Sequence, residues 1–172
     1  LDTAIITKGT FTFEGVQDSA VNRYITSGKG NEALLIDFFL ENGKINIALT
    51  RDNDSATGTA NNDAYQEIRN KINALNQKAT PLYESMRSAD ITDEQKEANM
   101  KELEKLEEEL GQVYKEGIEK NITNPVGIHL FKSNYYNMTT AENDALLQQI
   151  PAQFQNDETI VKIKEMTEKQ KK

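Results

Sequence analysis

The residues able to do chemistry in this 172-residue chain are few and scattered. His129 is the only histidine, set between Ile128 and Leu130-Phe131. A lone imidazole can serve as a general base or pH switch, but catalysis needs a partner at recognisable spacing. None surrounds it, so a structural, partly buried histidine is expected. Asp52-Asn53-Asp54 resembles the start of a calcium loop. An EF-hand then needs a further Asp or Asn, a Gly and a closing Glu, whereas Ala56 and Thr57 occupy the first two of those positions. Gly28-Lys29-Gly30 lacks the glycine spacing and the following Ser or Thr of a phosphate loop. Glu107, Glu108 and Glu109 are consecutive and fan around a helix rather than facing one another. No Glu-x-x-His pair is available for a metal–carboxylate bundle, and no serine sits in a nucleophile elbow. The absence of cysteine removes thiol nucleophiles, thiolate ligands and disulfides. No catalytic, cofactor-binding or metal-binding residue is therefore expected. One aromatic group remains: Phe131, Tyr135 and Tyr136 form a candidate partner surface, provided that they are exposed.

Composition narrows the classes. Hydrophobic residues make up 37% and charged residues 28%, with a mean hydropathy of −0.70. That balance predicts long solvated helices around a modest core. The formal net charge of −8 argues against nucleic-acid binding, which needs a basic patch to displace counterions. It argues equally against docking on anionic lipid. The apolar run Leu34 to Leu40 is interrupted by Asp37 and is too short to span a bilayer. The sequence begins with Leu1 rather than Met, so the natural N-terminus is expected to have been removed, and the lack of a targeting segment assigns no compartment.

The elements that would position any site change character near Asn61. Before it, the pattern alternates. Asp2 to Thr7 and Thr10 to Glu14 read as strands joined by Lys8-Gly9, with Phe11 and Phe13 on one face. Val21 to Thr26 reads as a third strand and Ser27 to Asn31 as a polar loop. Ala33 to Thr50 reads as a hairpin: Leu34, Ile36, Phe38 and Leu40 share a face, Asn42-Gly43 suits a type I′ turn, and Ile45, Ile47 and Leu49 alternate after it. Asp52 to Asn62 reads as a polar linker. From Asp63 the period is helical. Tyr65, Ile68, Ile72, Leu75, Ala79, Leu82 and Met86 form one stripe, with a kink or break expected near Ala79 or Thr80 because of Pro81. Thr92 and Gln95 spell a capping box ahead of a second stripe through Leu103, Leu106, Leu110, Val113 and Gly117. The two stripes predict an antiparallel αα-hairpin. Asn124-Pro125 predicts a third helix, Thr140 starts a fourth ended by Pro151, and Asp157 caps a last one. The fold class expected is α+β: an antiparallel sheet, part of a small β-sandwich, over 1–61, a helical part over 62–161, and a linker-like tail over 162–172.

Three short segments carry a family resemblance. Leu1-Asp2-Thr3-Ala4, Gly9-Thr10-Phe11-Thr12-Phe13-Glu14-Gly15 and Phe38-Phe39-Leu40-Glu41-Asn42-Gly43 together resemble the DUF4369 domain. That domain stands at the N-terminus of Bacteroidetes envelope proteins, ahead of a thioredoxin-like domain of the AhpC/TSA or TlpA/ResA type. The resemblance implies a non-catalytic accessory domain of a cell-envelope thiol–disulfide oxidoreductase, used for positioning, partner recognition or dimerisation. The αα-hairpin stripe or an open sheet edge would be the contact surface. It also implies a periplasmic or envelope location, with a lipid anchor an option in the full-length protein. The partners it implies are the chain's own C-terminal thioredoxin-like domain, another protein or a second copy. Two departures stand out: the strands that usually precede the "DT" segment are absent, and so is Trp-Cys-x-x-Cys. No catalytic residue of the family can be placed on this sequence. Asp2-Thr3-Ala4, Asp18-Ser19-Ala20 and Asp54-Ser55-Ala56 are similar to the Asp-Ser/Thr-apolar motif glycosylated in exported Bacteroidetes proteins. The competing expectation is an independent ligand- or peptide-binding module of the envelope, with a pocket near Phe11, Phe13, Tyr24, Tyr135 or Tyr136.

Overall fold

Alternation and turn chemistry in the first third of the chain produce two separate ribbons rather than one meander. A computed structural model describes residues 2–28, 30, 33–51 and 53–171. Strands β1 (Val21–Ser27) and β2 (Leu34–Leu40) pair antiparallel, with Val21 opposite Leu40 and Ser27 opposite Leu34. Strands β3 (Asn46–Ala48) and β4 (Ser55–Thr57) form the second ribbon, with Ile47 opposite Ala56. Ile25, Ile36 and Phe38 of the first ribbon and Ile47 and Ala56 of the second share one apolar cluster. The molecule is α+β, and the two ribbons stand where a partial sandwich was expected.

The hairpin expected over Ala33 to Thr50 does not form. Strand β2 pairs with β1, and the segment after Asn42-Gly43 pairs with β4 instead. A type I′ turn needs positive φ at both central residues. Here Gly43 has φ 136, while Lys8 is the only non-glycine with positive φ among the described residues. The Asn42 side chain is engaged elsewhere: its Oδ1 accepts from Gln17 N–H at 3.0 Å and its Nδ2 donates to the Gln17 carbonyl at 2.7 Å. Glycine at 43 and 58 serves close approach. A Cβ at Gly43 would meet the Thr59 methyl at 2.7 Å, and one at Gly58 would meet the Lys44 carbonyl at 2.4 Å. The polar linker expected over Asp52 to Asn62 contains β4, whose Ala56 is buried.

The strands expected over Asp2 to Thr7 and Thr10 to Glu14 reduce to one bridge between Thr7 and Thr10, around a Lys8-Gly9 turn with φ 53 and 78. That turn has the two-residue geometry that Asn42-Gly43 lacks. Nothing covers the segment: Ile5 is 88% and Val16 89% exposed. Residues 2–16 thus form an arm, and alternation alone does not make a sheet where there is no second layer to bury against.

Helix α1 (Ala60–Met86) is continuous through Pro81, so the break expected near Ala79 is not seen. Helix α2 (Asp93–Asn121) begins at the Thr92/Gln95 capping box, with Gln95 N–H donating to Thr92 Oγ1 and Thr92 N–H to Gln95 Oε1. Leu75 of α1 and Leu103 and Leu106 of α2 are buried, as the facing stripes of an αα-hairpin require. Those stripes are consumed in packing on each other, which removes them as a partner surface. Helix α3 (Pro125–Asn134) has Asn124 as N-cap, its Oδ1 accepting from Val126 N–H at 2.9 Å. Helix α4 (Thr140–Leu147) has a capping box between Thr139 and Glu142, and α5 (Glu158–Gln170) is capped by Asp157. The residues expected as a tail continue α5, with Ile163 and Thr167 buried. The main core joins Phe39 of β2 to Ile68, Ile118, Val126, Phe131 and Ile160 of the helices. Strand β2 is therefore buried on both faces, Phe38 against the second ribbon and Phe39 against the helices.

Candidate functional site

Strand β2 meets α1 along a polar seam that the sequence pattern did not single out. Asn62, Gln66 and Arg69 are spaced by four and three residues, so they share one face of α1. Asn62 is fully buried and acts as a surrogate strand. Its Oδ1 accepts from Phe39 N–H at 2.9 Å, and its Nδ2 donates to the Phe39 carbonyl at 2.7 Å and to Thr59 Oγ1 at 2.8 Å. Gln66 Oε1 accepts from Ala56 N–H at 2.8 Å. Arg69 Nη1 donates to the Asp37 carbonyl at 3.4 Å, while Nη2 pairs with Asp54. One helix face thus closes the outer edge of β2 and the edge of β4, satisfying buried backbone groups that would otherwise be orphaned.

Titratable groups gather where that seam meets α3. Asp37 Oδ2 accepts from the Tyr65 hydroxyl at 2.7 Å and from Asn22 Nδ2 at 3.5 Å. His129 Nε2 lies 3.9 Å away, beyond hydrogen-bond range. Phe39, Tyr65 and His129 pack mutually edge to face, with ring centroids 5.4 to 5.8 Å apart. Burial, and then the Asp37 carboxylate, pushes the Tyr65 hydroxyl far above the usual phenol range. Burial lowers the His129 pKa despite the Asp37 charge, with Lys132 adding to the lowering. The sequence expectation of a partly buried structural histidine fits this position. Chemically, the cluster holds a neutral imidazole and a poorly acidic phenol on one carboxylate. It fixes α1 and α3 to the strand.

The aromatic group proposed as a partner surface divides. Phe131 is fully buried in the main core, because it lies on the inward face of α3, and this corrects its expected place on a surface. Tyr135 packs partly on that core, and Tyr136 is 70% exposed, the two rings meeting edge to face. A cavity of about 180 Å³ lies close by, lined by Tyr114, Lys115, Asn134, Met138 and Glu142 among others. That is smaller than the ~300–1,000 Å³ of ordinary small-molecule sites. Lys115 pairs with Glu142 at its rim. Lys115, together with the Thr139 N–H and hydroxyl, draws the Glu142 carboxyl down to about 2. Phe11 and Phe13 line only a shallow, open groove along the arm. Among the described residues, no group of three or more His, Cys, Asp or Glu side chains is placed to hold a metal ion. No helix among them is long and apolar enough to cross a membrane.

These features define an α+β module whose ribbons are locked to a helical bundle by one helix face. The family model described as "Domain of unknown function (DUF4369)" matches residues 1–65, which covers the arm, both ribbons and the first turns of α1 through Asn62 and Tyr65. No curated protein and no solved structure matches the chain.

Proposed function

We propose that this chain is a non-catalytic contact module, the accessory N-terminal domain of a cell-envelope thiol–disulfide oxidoreductase. The observation that carries the reading is the DUF4369 match over residues 1–65 in a chain without cysteine. Thiol chemistry in such a protein has to come from a neighbouring thioredoxin-like domain, and this chain would position that domain or its partners. The placement in the periplasm or envelope, with a lipid anchor in the full-length protein, belongs to the same proposal. The closed, mutually packed charge cluster at Asp37, Tyr65 and His129 supports a structural rather than a catalytic use of its titratable groups. The decisive test is the coding sequence downstream of Lys172. A Cys-x-x-Cys thioredoxin-like domain is expected there, and its absence overturns the reading.

A further inference from the structure

The two edges of the first ribbon are treated differently. Antiparallel pairing alternates between residues that bond across the ladder and residues whose N–H and C=O point outward. Phe39 gives both of its groups to Asn62 and Asp37 gives its carbonyl to Arg69, so odd-numbered β2 residues point away from β1. With Asn22 opposite Phe39 and Tyr24 opposite Asp37, the outward residues of β1 are Asn22, Tyr24 and Thr26. Among the described residues only the Asn22 carbonyl has a partner there, Arg23 Nη1 at 2.9 Å. This edge is seven residues long, β-prone, and free of proline and acidic side chains. Natural sheets usually blunt such an edge. On the side of the ribbon toward the helices, Tyr24 is 67% and Leu35 60% exposed beside it.

The same molecule carries a matching unpaired strand. Thr10 to Val16 equals β1 in length, and its backbone is unpaired beyond the Thr7–Thr10 bridge. Ile5, Ile6, Phe13 and Val16 of the arm are exposed. The arm cannot simply fold back on its own β1. The Gln17 N–H and C=O are both held by Asn42, two residues beyond the Leu40 that faces Val21. That clamp carries the chain past the end of the ribbon in line with β1, leaving only Asp18 to Ala20 for a reversal.

We infer that two copies of this chain exchange arms, Thr10 to Val16 of each adding as a strand to the outer edge of β1 of the other. The exchange is reciprocal, so one two-fold axis satisfies both edges and closes the assembly. Phe11 and Phe13 share one face of the added strand and can extend the apolar surface of the ribbon. The inference rests on reading the chain as a contact module and names its partner.

Sedimentation of the whole chain over a concentration series tests it. A dimer is expected, and a chain that remains monomeric at 100 µM, on the order of ordinary transient association, overturns it. Tyr24→Pro removes an edge N–H that β2 does not use, and should abolish the dimer while keeping the helical circular dichroism. Phe13→Asp should do the same from the arm side. A dimer that survives both variants overturns the exchange. Because the chain has no cysteine, Phe13→Cys and Tyr24→Cys can be made separately and mixed. A mixed disulfide between the two preparations is expected. In the double variant, a purely intramolecular disulfide would show the arm folding back on its own strand and would also overturn the proposal. None of these outcomes bears on whether a thioredoxin-like domain follows, so the two readings fail separately.

Discussion

Strands β1 and β2 are partners in one ladder, yet one outer edge is sealed and the other bare. Asn62 and Arg69 close the β2 edge from α1, whereas β1 presents Tyr24 and Thr26 to solvent. Strand β2 lies in the middle of the molecule, with Phe38 and Phe39 at 6% and 1% exposure, while Tyr24 of β1 stays 67% exposed. Strand identity and pairing are therefore not what separates a structural edge from a contact edge. The difference is whether a helix face brings side-chain amides to the unpaired backbone.

The largest effect should come from breaking the sealed edge. Asn62→Ala leaves the buried Phe39 N–H and C=O without partners. Each orphaned group costs about 1–3 kcal/mol, so a loss of about 2–5 kcal/mol is expected in chemical denaturation, with both ribbons and α1 affected together. A loss below about 1 kcal/mol would mean that water or a shifted strand replaces the amide, and the contrast between the edges would collapse.

A second, smaller effect belongs to the charge cluster over the same edge. His129 has a folded pKa below its ordinary value of 6.5, because burial disfavours the imidazolium more than Asp37 favours it. The unfolded chain therefore binds the proton first as pH falls. The stability associated with neutral His129 is present above pH 6.5 and is lost as pH drops from there through the folded pKa. Since His129 is the only histidine, its ring proton resonance can be followed alone. A titration midpoint below 6.5 in the native chain, returning to about 6.5 in denaturant, is expected. A native midpoint above 6.5 would make His129–Asp37 an ion pair and reverse the sign of the pH dependence.

Much of this architecture was legible in the sequence, and the reasons for the misses are specific. Local signals succeeded where the residues that define an element also satisfy it: the Thr92/Gln95 box, the Asn124-Pro125 start and the Asp157 cap each form as written. The facing stripes of α1 and α2 held for the same reason, since helical period is a property of one segment. The Asn42-Gly43 turn failed because Asn42 is recruited by Gln17, a residue 25 positions away. No local pattern reports that competition. Phe131 was read as surface because an aromatic near Tyr135 and Tyr136 carries no label for which helix face turns inward. The Asn62, Gln66 and Arg69 stripe was visible at helical spacing, but a polar stripe reads as a solvated face unless a strand edge lies opposite. Only the fold supplies that edge.

The smallest effect is expected on the bare edge, and its smallness is the point. Tyr24→Thr removes a large exposed side chain while keeping a residue that favours strands. Nothing in the helices touches it as Tyr65 touches Asp37, so the change should lie within about 0.5 kcal/mol, as for ordinary surface positions. The measurement belongs in dilute solution, where sedimentation shows a single monomeric species. There the unfolding midpoint should match the parent chain. At concentrations where two copies associate, the same variant should shift the equilibrium toward monomer, because its side chain flanks the edge the arm would occupy. A matched pair of results, stability unchanged and association weakened, would mark β1 as a surface kept for contact. A drop of more than about 1 kcal/mol in the monomer would instead place Tyr24 in the folding core, and both edges of the ribbon would then be structural.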